Sequence, residues 1–345
     1  MNSFFLERLR CPACSSNLEW RAIKDSPNGD IHTGVVWCAS CMDWFPIEDE
    51  LLELLPVALG YLDDRERFWV QHEVLLKSLR LKPTHRESDR KRGTDQQRQQ
   101  THFDQYVKDE KQTYTEYEGM PFWRAVDHFV FREWRQLVKE KSVFLDFGCG
   151  QGRSTFKFVD LPIQIVGFDI SKGMIADAIH RYRDTKPRAK ACFFVADASK
   201  MPFKDGVFDY VLGYGVLHHV PSPETTCKEV IRVLKPGGMY FGSENNESIF
   251  RGLFDALQKL VPAWHEEAGS EPLISIEKVR QWASSDCTLD LKTHVFVPPH
   301  LANLSGQRLG RSLIHFTDWL GQSIPGLRNN GGLVTYRMQK TRDRA

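Results

Sequence analysis

The stretch "VFLDFGCGQGRS", residues 143–154, decides the fold of this chain. A short apolar run of strand length contains Asp146 near its end, and Gly148, Gly150 and Gly152 follow at every second position. Glycine has no Cβ, so the backbone can take positive φ and a ligand can lie directly against it. The spacing indicates either a tight turn from a strand into a helix or a binding loop at the carboxyl end of a strand.

Apolar runs of strand length alternate with helix-like stretches after this loop, which is typical of a parallel sheet with helices on both faces. The predicted strands are 143–147, 163–168, 192–196, 208–214 and 238–243, with two further candidates at 289–297 and 332–339. The predicted helices between them are 152–159, 172–183 and 223–234. The sequence therefore predicts an α/β fold.

Polar or glycine residues follow four consecutive predicted strands. Asp169 ends the second strand, where an acid can accept hydrogen bonds from both hydroxyls of a ribose. Asp197 ends the third strand, and "GYGVLHHV" follows the fourth. A dinucleotide site fits poorly, because its fingerprint needs a third glycine three positions after the second. These features predict a ligand site along one rim of the sheet.

The chain from about 143 to 243 resembles the class I S-adenosylmethionine-dependent methyltransferases of the type 11-like group. The motifs "DFGCGQG", "FDIS", "DASKMPF" and "LHHV…LKPGG" occur in the family's order. The resemblance implies a Rossmann-like sheet and S-adenosyl-L-methionine as the cofactor. The residues that match the family's cofactor site are Asp146, Gly148, Gly150, Gly152, Asp169, Ile170, Asp197, Ala198, Met201, Gly213 and Tyr214.

The resemblance also implies a role for each part of this site. The glycine loop is expected against the methionine part of the cofactor, with Asp146 supporting its amino group. Asp197 and Ala198 are expected at the adenine edge, and Ile170 and Met201 are expected as apolar contacts around that ring.

The end of the fourth strand carries the candidate catalytic residues. By the same resemblance, Gly213 and Tyr214 face the methionine end of the cofactor, and His218 and His219 follow on the rim. Either histidine is a candidate general base for an acceptor that must lose a proton. The alternative is that one ring only packs or bonds to the backbone.

Two cysteine pairs, Cys11 with Cys14 and Cys38 with Cys41, lie 23 residues apart near the start of the chain. Four thiolates in two C-x-x-C motifs suit a tetrahedral structural zinc ion, and "DSPNGD" (25–30) predicts a hairpin tip between them. A redox pair or free thiols are the alternatives.

The cysteine motifs, together with "WFPIEDELLELLP", resemble the Trm112-like zinc ribbons. Some stand-alone members of that family activate tRNA, ribosomal-RNA or protein methyltransferases. The predicted organisation is a Trm112-like zinc ribbon in 1–58, a charged helix and linker in 59–102, and a methyltransferase domain in 103–345. A helix over 103–140 is expected to close over the cofactor, and 244–331 is expected to form part of a substrate cap.

The cap region contributes further titratable residues to the predicted acceptor pocket. They are His265, Glu266, Glu267, His294, His300 and His315.

Composition narrows the function further. The formal net charge is +1, with 41% hydrophobic and 26% charged residues, so no global charge favours nucleic acid. No apolar run approaches the ~20 residues of a membrane helix, and the start of the chain breaks into charge too early for a signal peptide. A cytoplasmic protein is expected.

The leading functional hypothesis is methyl transfer to an oxygen, nitrogen or carbon nucleophile of a small-molecule, sugar or lipid-linked metabolite. The alternative is an RNA methyltransferase, for rRNA or tRNA, that binds phosphates through the ribbon and the basic run "RLKPTHRESDRKRG" (80–93). A non-catalytic scaffold is the third hypothesis, and the intact cofactor motifs argue against it.

Overall fold

One sheet of eleven strands runs through the computed structural model, which describes residues 1–27, 29–84, 94–108, 118–260, 273–283 and 285–341. In chain order the strands are β1 Leu18–Asp25, β2 Ile31–Cys38, β3 Trp44–Glu48, β4 Leu51–Glu53, β5 Val143–Phe147, β6 Gln164–Asp169, β7 Lys190–Val195, β8 Phe208–Tyr214, β9 Leu234–Asn245, β10 Cys287–His294 and β11 Leu333–Lys340. Their spatial order is β1-β2-β3-β4-β7-β6-β5-β8-β9-β11-β10.

The helices of the described residues cover both faces of this sheet. They are α1 Ser3–Leu6, α2 Leu62–Ser78, α3 Asp95–Lys108, α4 Pro121–Leu137, α5 Lys172–Asp184, α6 Pro223–Val233, α7 Arg251–Leu260, α8 Ile276–Trp282, α9 Pro299–Leu304 and α10 Gly306–Ser323. Short 3-10 turns occur at Thr155–Lys157, Ala198–Lys200 and Leu217–His219.

The centre of the sheet is parallel from β4 through β9, whereas β11 and β10 add to it in antiparallel pairs. The predicted alternation of strands and helices is confirmed. Each predicted strand is present, with ends that differ by a few residues. The order reverses between β5 and β8, so the carboxyl ends of these strands form the crevice in which open α/β sheets bind ligands.

The N-terminal hairpins belong to the same sheet because β4 pairs in parallel with β7. Leu52 lies opposite Phe194 and Glu53 opposite Val195, and the N–H of Leu54 donates to the carbonyl of Val195 at 2.8 Å. The buried core is continuous across this junction. One cluster of buried side chains contains Leu9, Phe45, Phe168, Phe194 and Phe203.

The predicted helix over 152–159 is wrong. The segment forms turns and a single 3-10 turn at Thr155–Lys157. The hydroxyls of Ser154 and Thr155 donate to Oδ2 of Asp146 at 2.8 and 2.6 Å. Such side-chain hydrogen bonds compete with the regular helix, which explains the irregular backbone after the glycine loop.

The linker predicted within 59–102 contains a second helix, because α3 begins at Asp95. Thr94 and Gln97 form a reciprocal cap at its start, with the Gln97 N–H 3.2 Å from the Thr94 hydroxyl. The expected helix over 103–140 is also wrong, since α3 ends at Lys108 and a separate helix starts at Pro121. Residues 109–117 between them lie outside the described part of the chain.

Candidate functional site

The glycine loop after β5 takes a backbone conformation that L-residues rarely adopt. Gly148, Gly150 and Gly152 have φ of +64°, +51° and +87°. A Cβ on Gly148 would lie 2.2 Å from Cγ2 of Val216, and one on Gly152 would lie 2.7 Å from the ring of Phe156. The sequence needs glycine here for conformation and for close approach at once.

A cavity opens above this loop, at the carboxyl ends of the parallel strands. Several of the residues predicted from the sequence line it: Gly148, Gly150, Asp169, Ile170, Asp197, Ala198 and His219. The remaining predicted residues do not line it: Asp146, Gly152, Met201, Gly213, Tyr214 and His218. The structure therefore brings only part of the predicted set into the lining of one cavity.

Asp169 ends β6 and faces this cavity. Its Oδ2 accepts from the N–H of Gly150 at 3.0 Å, and its Oδ1 accepts from the N–H of Ser171 at 2.9 Å. Burial raises the pKa of Asp169 to about 6, although these backbone donors lower it. A carboxylate has about four lone-pair sites, so the group can still accept from a ligand in the cavity.

Asp146 lies beneath the loop with 1% of its surface exposed. Its Oδ2 accepts from two hydroxyls, but its Oδ1 is buried and has no hydrogen-bond partner among the described residues. Burial raises the pKa of Asp146 to about 7. A buried acceptor without a partner is costly, and it fits a donor group brought by a ligand above the loop.

The third strand end supplies the opposite wall. Asp197 accepts from the N–H of Ser199 at 2.8 Å and so caps the 3-10 turn that begins at Ala198. Met201, expected beside the adenine ring, is instead fully buried in the core. Met174, on the first turn of α5, lines the cavity in its place.

The end of β8 differs from the expectation. A Cβ on Gly213 would lie 2.5 Å from the ring of Phe147, so this glycine serves core packing. The hydroxyl of Tyr214 donates to Oδ1 of Asp127 at 3.1 Å, and burial raises the tyrosine pKa. Gly215 and the residue after it line the cavity in their place.

A compact ionic cluster surrounds Tyr214. Arg153 donates to Oδ2 of Asp127 at 2.7 Å, and Lys157 lies 3.1 Å from the same oxygen. Both cations also pair with Glu118. Sequence analysis did not identify Asp127 or Glu118, because neither follows a strand and both find their partners through tertiary contacts.

The two adjacent histidines have different surroundings. His218 is buried, with Nδ1 2.7 Å from Oε2 of Glu244, whose other oxygen accepts from the N–H groups of Val216 and Leu217. His219 lines the cavity. The two rings are 4.1 Å apart. Glu244 was missed by the sequence analysis, although its place at the end of β9 is a signal of the kind that identified Asp169.

Comparisons with known proteins agree with this geometry. A family model described as "Methyltransferase domain" matches residues 145–242. The demethylmenaquinone methyltransferase of Renibacterium salmoninarum is 30% identical over 169 residues, which cover 45% of this chain and 68% of that protein. The chain belongs to the S-adenosylmethionine-dependent methyltransferases.

Two further similarities extend the comparison. A sterol 24-C-methyltransferase of Aspergillus fumigatus is 34% identical over 130 residues, which cover 36% of this chain and 33% of that protein. A chain from the complex that contains the Haloferax volcanii Trm112 methyltransferase activator is 18% identical, with a TM-score of 0.50 over 72% of this chain and 99% of that one. This second similarity shows the fold, and it confirms the predicted Rossmann-like α/β class.

The methyltransferase has a cavity wall that the sequence analysis predicted only in part, as a helix that starts at residue 103 and closes over the cofactor. Gln96, Gln99 and Phe103 of α3 line the cavity together with residues from the strand ends. The ring of Phe103 meets that of His219 edge-on at 5.4 Å. For Gln96 and Gln99, which precede the predicted helix, the sequence signal was the T-x-x-Q capping pattern at the start of α3.

The four N-terminal cysteines form one cluster. The sulfur atoms of Cys11, Cys14, Cys38 and Cys41 all lie within 4.8 Å of one another, and none forms a disulfide. Tetrahedral coordination at Zn–S distances of about 2.3 Å sets sulfur atoms about 3.8 Å apart. The observed contacts, Cys11 to Cys41 at 3.6 Å and Cys14 to Cys38 at 3.4 Å, fit that geometry.

The two C-x-x-C turns have the same backbone geometry. In the first, the N–H of Ser15 donates to the carbonyl of Cys11 at 2.8 Å; in the second, the N–H of Met42 donates to the carbonyl of Cys38 at 2.8 Å. Ser15 and Met42 both have positive φ, at 64° and 63°. Two matched turns that present four thiols to one point suit a structural zinc ion, with no open coordination position.

The described part of 244–331 contributes no residue to the cavity lining. His294 lies 3.2 Å from Asp318, and the ring of His315 meets that of His128 at 6.0 Å. His265, Glu266 and Glu267 lie outside the described residues. Within the part of the chain that is described, no helix is both long and apolar enough to cross a membrane.

Proposed function

We propose that the methyl acceptor is a small molecule with an apolar body, such as a lipid-linked metabolite, whose oxygen, nitrogen or carbon nucleophile lies beside His219 and faces the methyl group of the cofactor. One observation carries this proposal: Val216, Val220 and Pro221 line the cavity together with His219. Apolar walls next to a histidine suit an apolar acceptor with one reacting atom.

S-adenosyl-L-methionine supplies an electrophilic methyl group on its sulfonium centre. For its binding we propose that Asp169 accepts from the ribose hydroxyls, and that Asp197, Ala198 and Ile170 surround the adenine. The glycine loop would lie against the methionine part, with Asp146 accepting from the amino group. The buried acceptor of Asp146 and the cavity-facing carboxylate of Asp169 support this assignment.

The chain itself would then contribute to methyl transfer in two ways, by positioning the nucleophile and by accepting its proton. The cavity holds the nucleophile in line with the methyl group, which converts a bimolecular step into an intramolecular one. His219 accepts the acceptor's proton where one must leave. The hydrogen bond between His218 and Glu244 fixes the turn that carries His219.

The relatives favour small-molecule acceptors over RNA. Their names refer to demethylmenaquinone, a sterol and 27-O-demethylrifamycin SV. None of the described cavity-lining residues is lysine or arginine, although an RNA site would be expected to neutralise phosphates. Most of the basic run 80–93 lies outside the described residues and adds no support.

We further propose that 1–58 is a Trm112-like zinc ribbon fused to the methyltransferase domain. The matched cysteine turns support the zinc, and the pairing of β4 with β7 supports a fixed association with the sheet. The similarity to a chain from a complex with a Trm112 activator fits this arrangement. The proposed domain boundaries are those predicted from the sequence, except that α3, which begins at Asp95 within the predicted linker, lines the cavity of the methyltransferase domain.

The acceptor proposal is tested by methyl partition. The purified chain is incubated with cofactor that carries a labelled methyl group and with an extract separated into lipid, small-metabolite, protein and RNA fractions. Label in the lipid or small-metabolite fraction is expected, and the Asp169→Ala variant should abolish it. Label that enters RNA, and is removed by nuclease, would contradict the proposal.

A further inference from the structure

The α3 wall of the cofactor cavity is not held in place by a buried apolar face. Among its described side chains, Gln99 is the one that is buried, and the helix reads "DQQRQQTHFDQYVK". Gln96, Gln99 and Phe103 nevertheless line the cavity. Polar contacts must therefore hold this wall in its position, because hydrophobic burial contributes little to it.

Asp104 is the main anchor of this wall. Its Oδ1 accepts from the hydroxyl of Ser171 at 2.6 Å and from the N–H of Gly173 at 3.0 Å. Its Oδ2 accepts from the hydroxyl of Tyr61 at 2.7 Å. The carboxylate thus lies at the N-terminus of α5, where a negative charge is favourable. The N–H of Ser171, immediately before this helix, donates to Oδ1 of the cavity-facing Asp169.

Tyr61 connects Asp104 to α5 and to the end of β4. Its hydroxyl accepts from the N–H of Lys172 at 2.8 Å, so the phenol bridges α3 and α5. Its own N–H donates to Oε1 of Glu53 at 3.2 Å, and that oxygen also accepts from Arg65 at 2.7 Å. Glu53 and Arg65 are each 1% exposed. Burial, followed by the charge of Asp104, raises the pKa of Tyr61, which keeps the phenol a proton donor.

We propose that Tyr61 and Asp104 are positioning residues that fasten α3 over the cofactor cavity. Neither residue lines the cavity. They act through Gln96, Gln99 and Phe103, whose positions depend on where α3 lies. The proposal rests on the assignment of this cavity to S-adenosylmethionine, and it adds that the segment joining the cysteine region to the methyltransferase domain helps to bind the cofactor.

The consequence is kinetic as well as energetic. A wall held by a few hydrogen bonds can open locally at low cost, because such contacts contribute little net free energy each. Loss of the Tyr61 hydroxyl should therefore speed the release of the bound nucleoside more than it slows its entry.

The test compares two tyrosine-to-phenylalanine substitutions, each of which removes one hydrogen-bonded hydroxyl. Tyr182, on α5, also donates to one acceptor and accepts from one backbone N–H, at 2.8 and 3.1 Å, but these partners are the backbone of Ala189 and Ala191, and Tyr182 does not line the cavity. Binding of S-adenosylhomocysteine is measured by calorimetry for the wild type, Tyr61→Phe and Tyr182→Phe. The first variant should bind roughly tenfold more weakly, and the second should bind like the wild type.

A second readout separates positioning from a general loss of stability. Amide exchange across residues 95–108 should speed up in the ligand-free Tyr61→Phe variant and stay unchanged in Tyr182→Phe. Asp104→Asn keeps an acceptor for Ser171 and Gly173, so its affinity should lie between those of the wild type and Asp104→Ala.

Two outcomes overturn the proposal. Equal affinities for Tyr61→Phe and Tyr182→Phe would show that the bridge does not act on the cavity. Weaker binding with unchanged exchange in α3 would show that Tyr61 acts by another route. Absence of binding by the wild type would instead contradict the assignment of the cavity itself, so the two failures can be told apart.

Discussion

The cysteine region, residues 1–58, and the glycine-loop region, residues 143–245, share one sheet but are stabilised differently. Every residue of β5 is buried, whereas most of β1 is exposed. Both regions contribute side chains to one continuous buried core, and the cysteine region adds four converging thiols to it. Small domains with little core commonly depend on a metal.

The comparison teaches where each kind of function can lie. Four thiolates on one zinc ion, as proposed, would leave no coordination position for a substrate, so we expect the cysteine region to have a structural role. The parallel strands end in polar groups on one rim, and there buried carboxylates such as Asp146 and Asp169 have raised pKa values. Perturbed acids in a cleft are typical of functional sites.

Metal removal should have the largest effect, and it should be confined to one region. We expect about one zinc ion per chain, and structural zinc sites contribute on the order of 10 kcal/mol to folding. Cys38→Ser should lose the zinc and the amide protection of β2 and β3, while the protection of β5 and β6 remains. Metal analysis and hydrogen exchange measure both effects.

The matched control for this change is Cys287→Ser, because Cys287 lies on β10 and outside the cluster. This variant should keep the zinc. A metal-free wild type with full protection of β2 and β3 would contradict the structural role of the ion and remove the contrast between the two regions.

The adjacent histidines should separate catalysis from stability inside the glycine-loop region. His219→Ala should lower methyl transfer about 100-fold, the low end for loss of a general base, with little change in S-adenosylhomocysteine binding. His218→Ala should lower the free energy of unfolding by about 2 kcal/mol, because Glu244 loses a buried partner. Transfer assays and denaturant unfolding give the two quantities.

The opposite pattern would contradict this division of roles. A His218→Ala variant of unchanged stability and greatly reduced transfer would make the buried histidine the catalytic one. It would also show that exposure to the cavity is a poor guide to function here.

The buried acids Asp146 and Asp169 should give smaller effects that depend on pH. As the pH rises, the stability of the ligand-free chain should fall, whereas the affinity for the cofactor should rise. Burial raises the pKa of Asp146 to about 7 and that of Asp169 to about 6, from an ordinary 3.8. Each of these carboxyl groups therefore keeps its proton to a higher pH in the folded chain than in the unfolded chain. Its contribution to stability is fully present below pH 3.8 and is lost as the pH rises through about 6 for Asp169 and about 7 for Asp146. Each such group should cost the ligand-free chain up to about 1.4 kcal/mol per pH unit in that window.

Cofactor affinity should instead rise with pH through about 6, because the ribose hydroxyls donate to ionised Asp169. Unfolding of the ligand-free chain and calorimetric binding, each measured from pH 5 to 8, test the two slopes. The Asp146→Asn variant should have a flatter stability profile than the wild type. Identical profiles would show that Asp146 does not titrate in this range.

Local patterns explain what the sequence alone could predict. The strand alternation, the glycine loop and the cysteine pairs are each encoded within a few neighbouring residues. Asp169, Asp197 and His219 could be placed on one rim because parallel strands end together. The structure does bring them to one cavity.

Long-range contacts explain what the sequence could not predict. The wall formed by α3 is polar, so hydrophobic periodicity gave no signal for it. Asp127 and Glu244 acquire their roles from partners that lie far along the chain, Arg153 and His218. Met201 is buried and does not line the cavity; the resemblance fixes its position in a motif but not the direction of its side chain.

Titration of S-adenosylhomocysteine into the whole chain and into the Asp169→Ala variant tests directly whether this cavity is the cofactor site. We expect one binding site per chain. The variant should bind S-adenosylhomocysteine about 100-fold more weakly, because it lacks the carboxylate that would accept two hydrogen bonds from the ribose. An Asp169→Ala variant that is folded and binds like the wild type would contradict the claim that this cavity is the cofactor site.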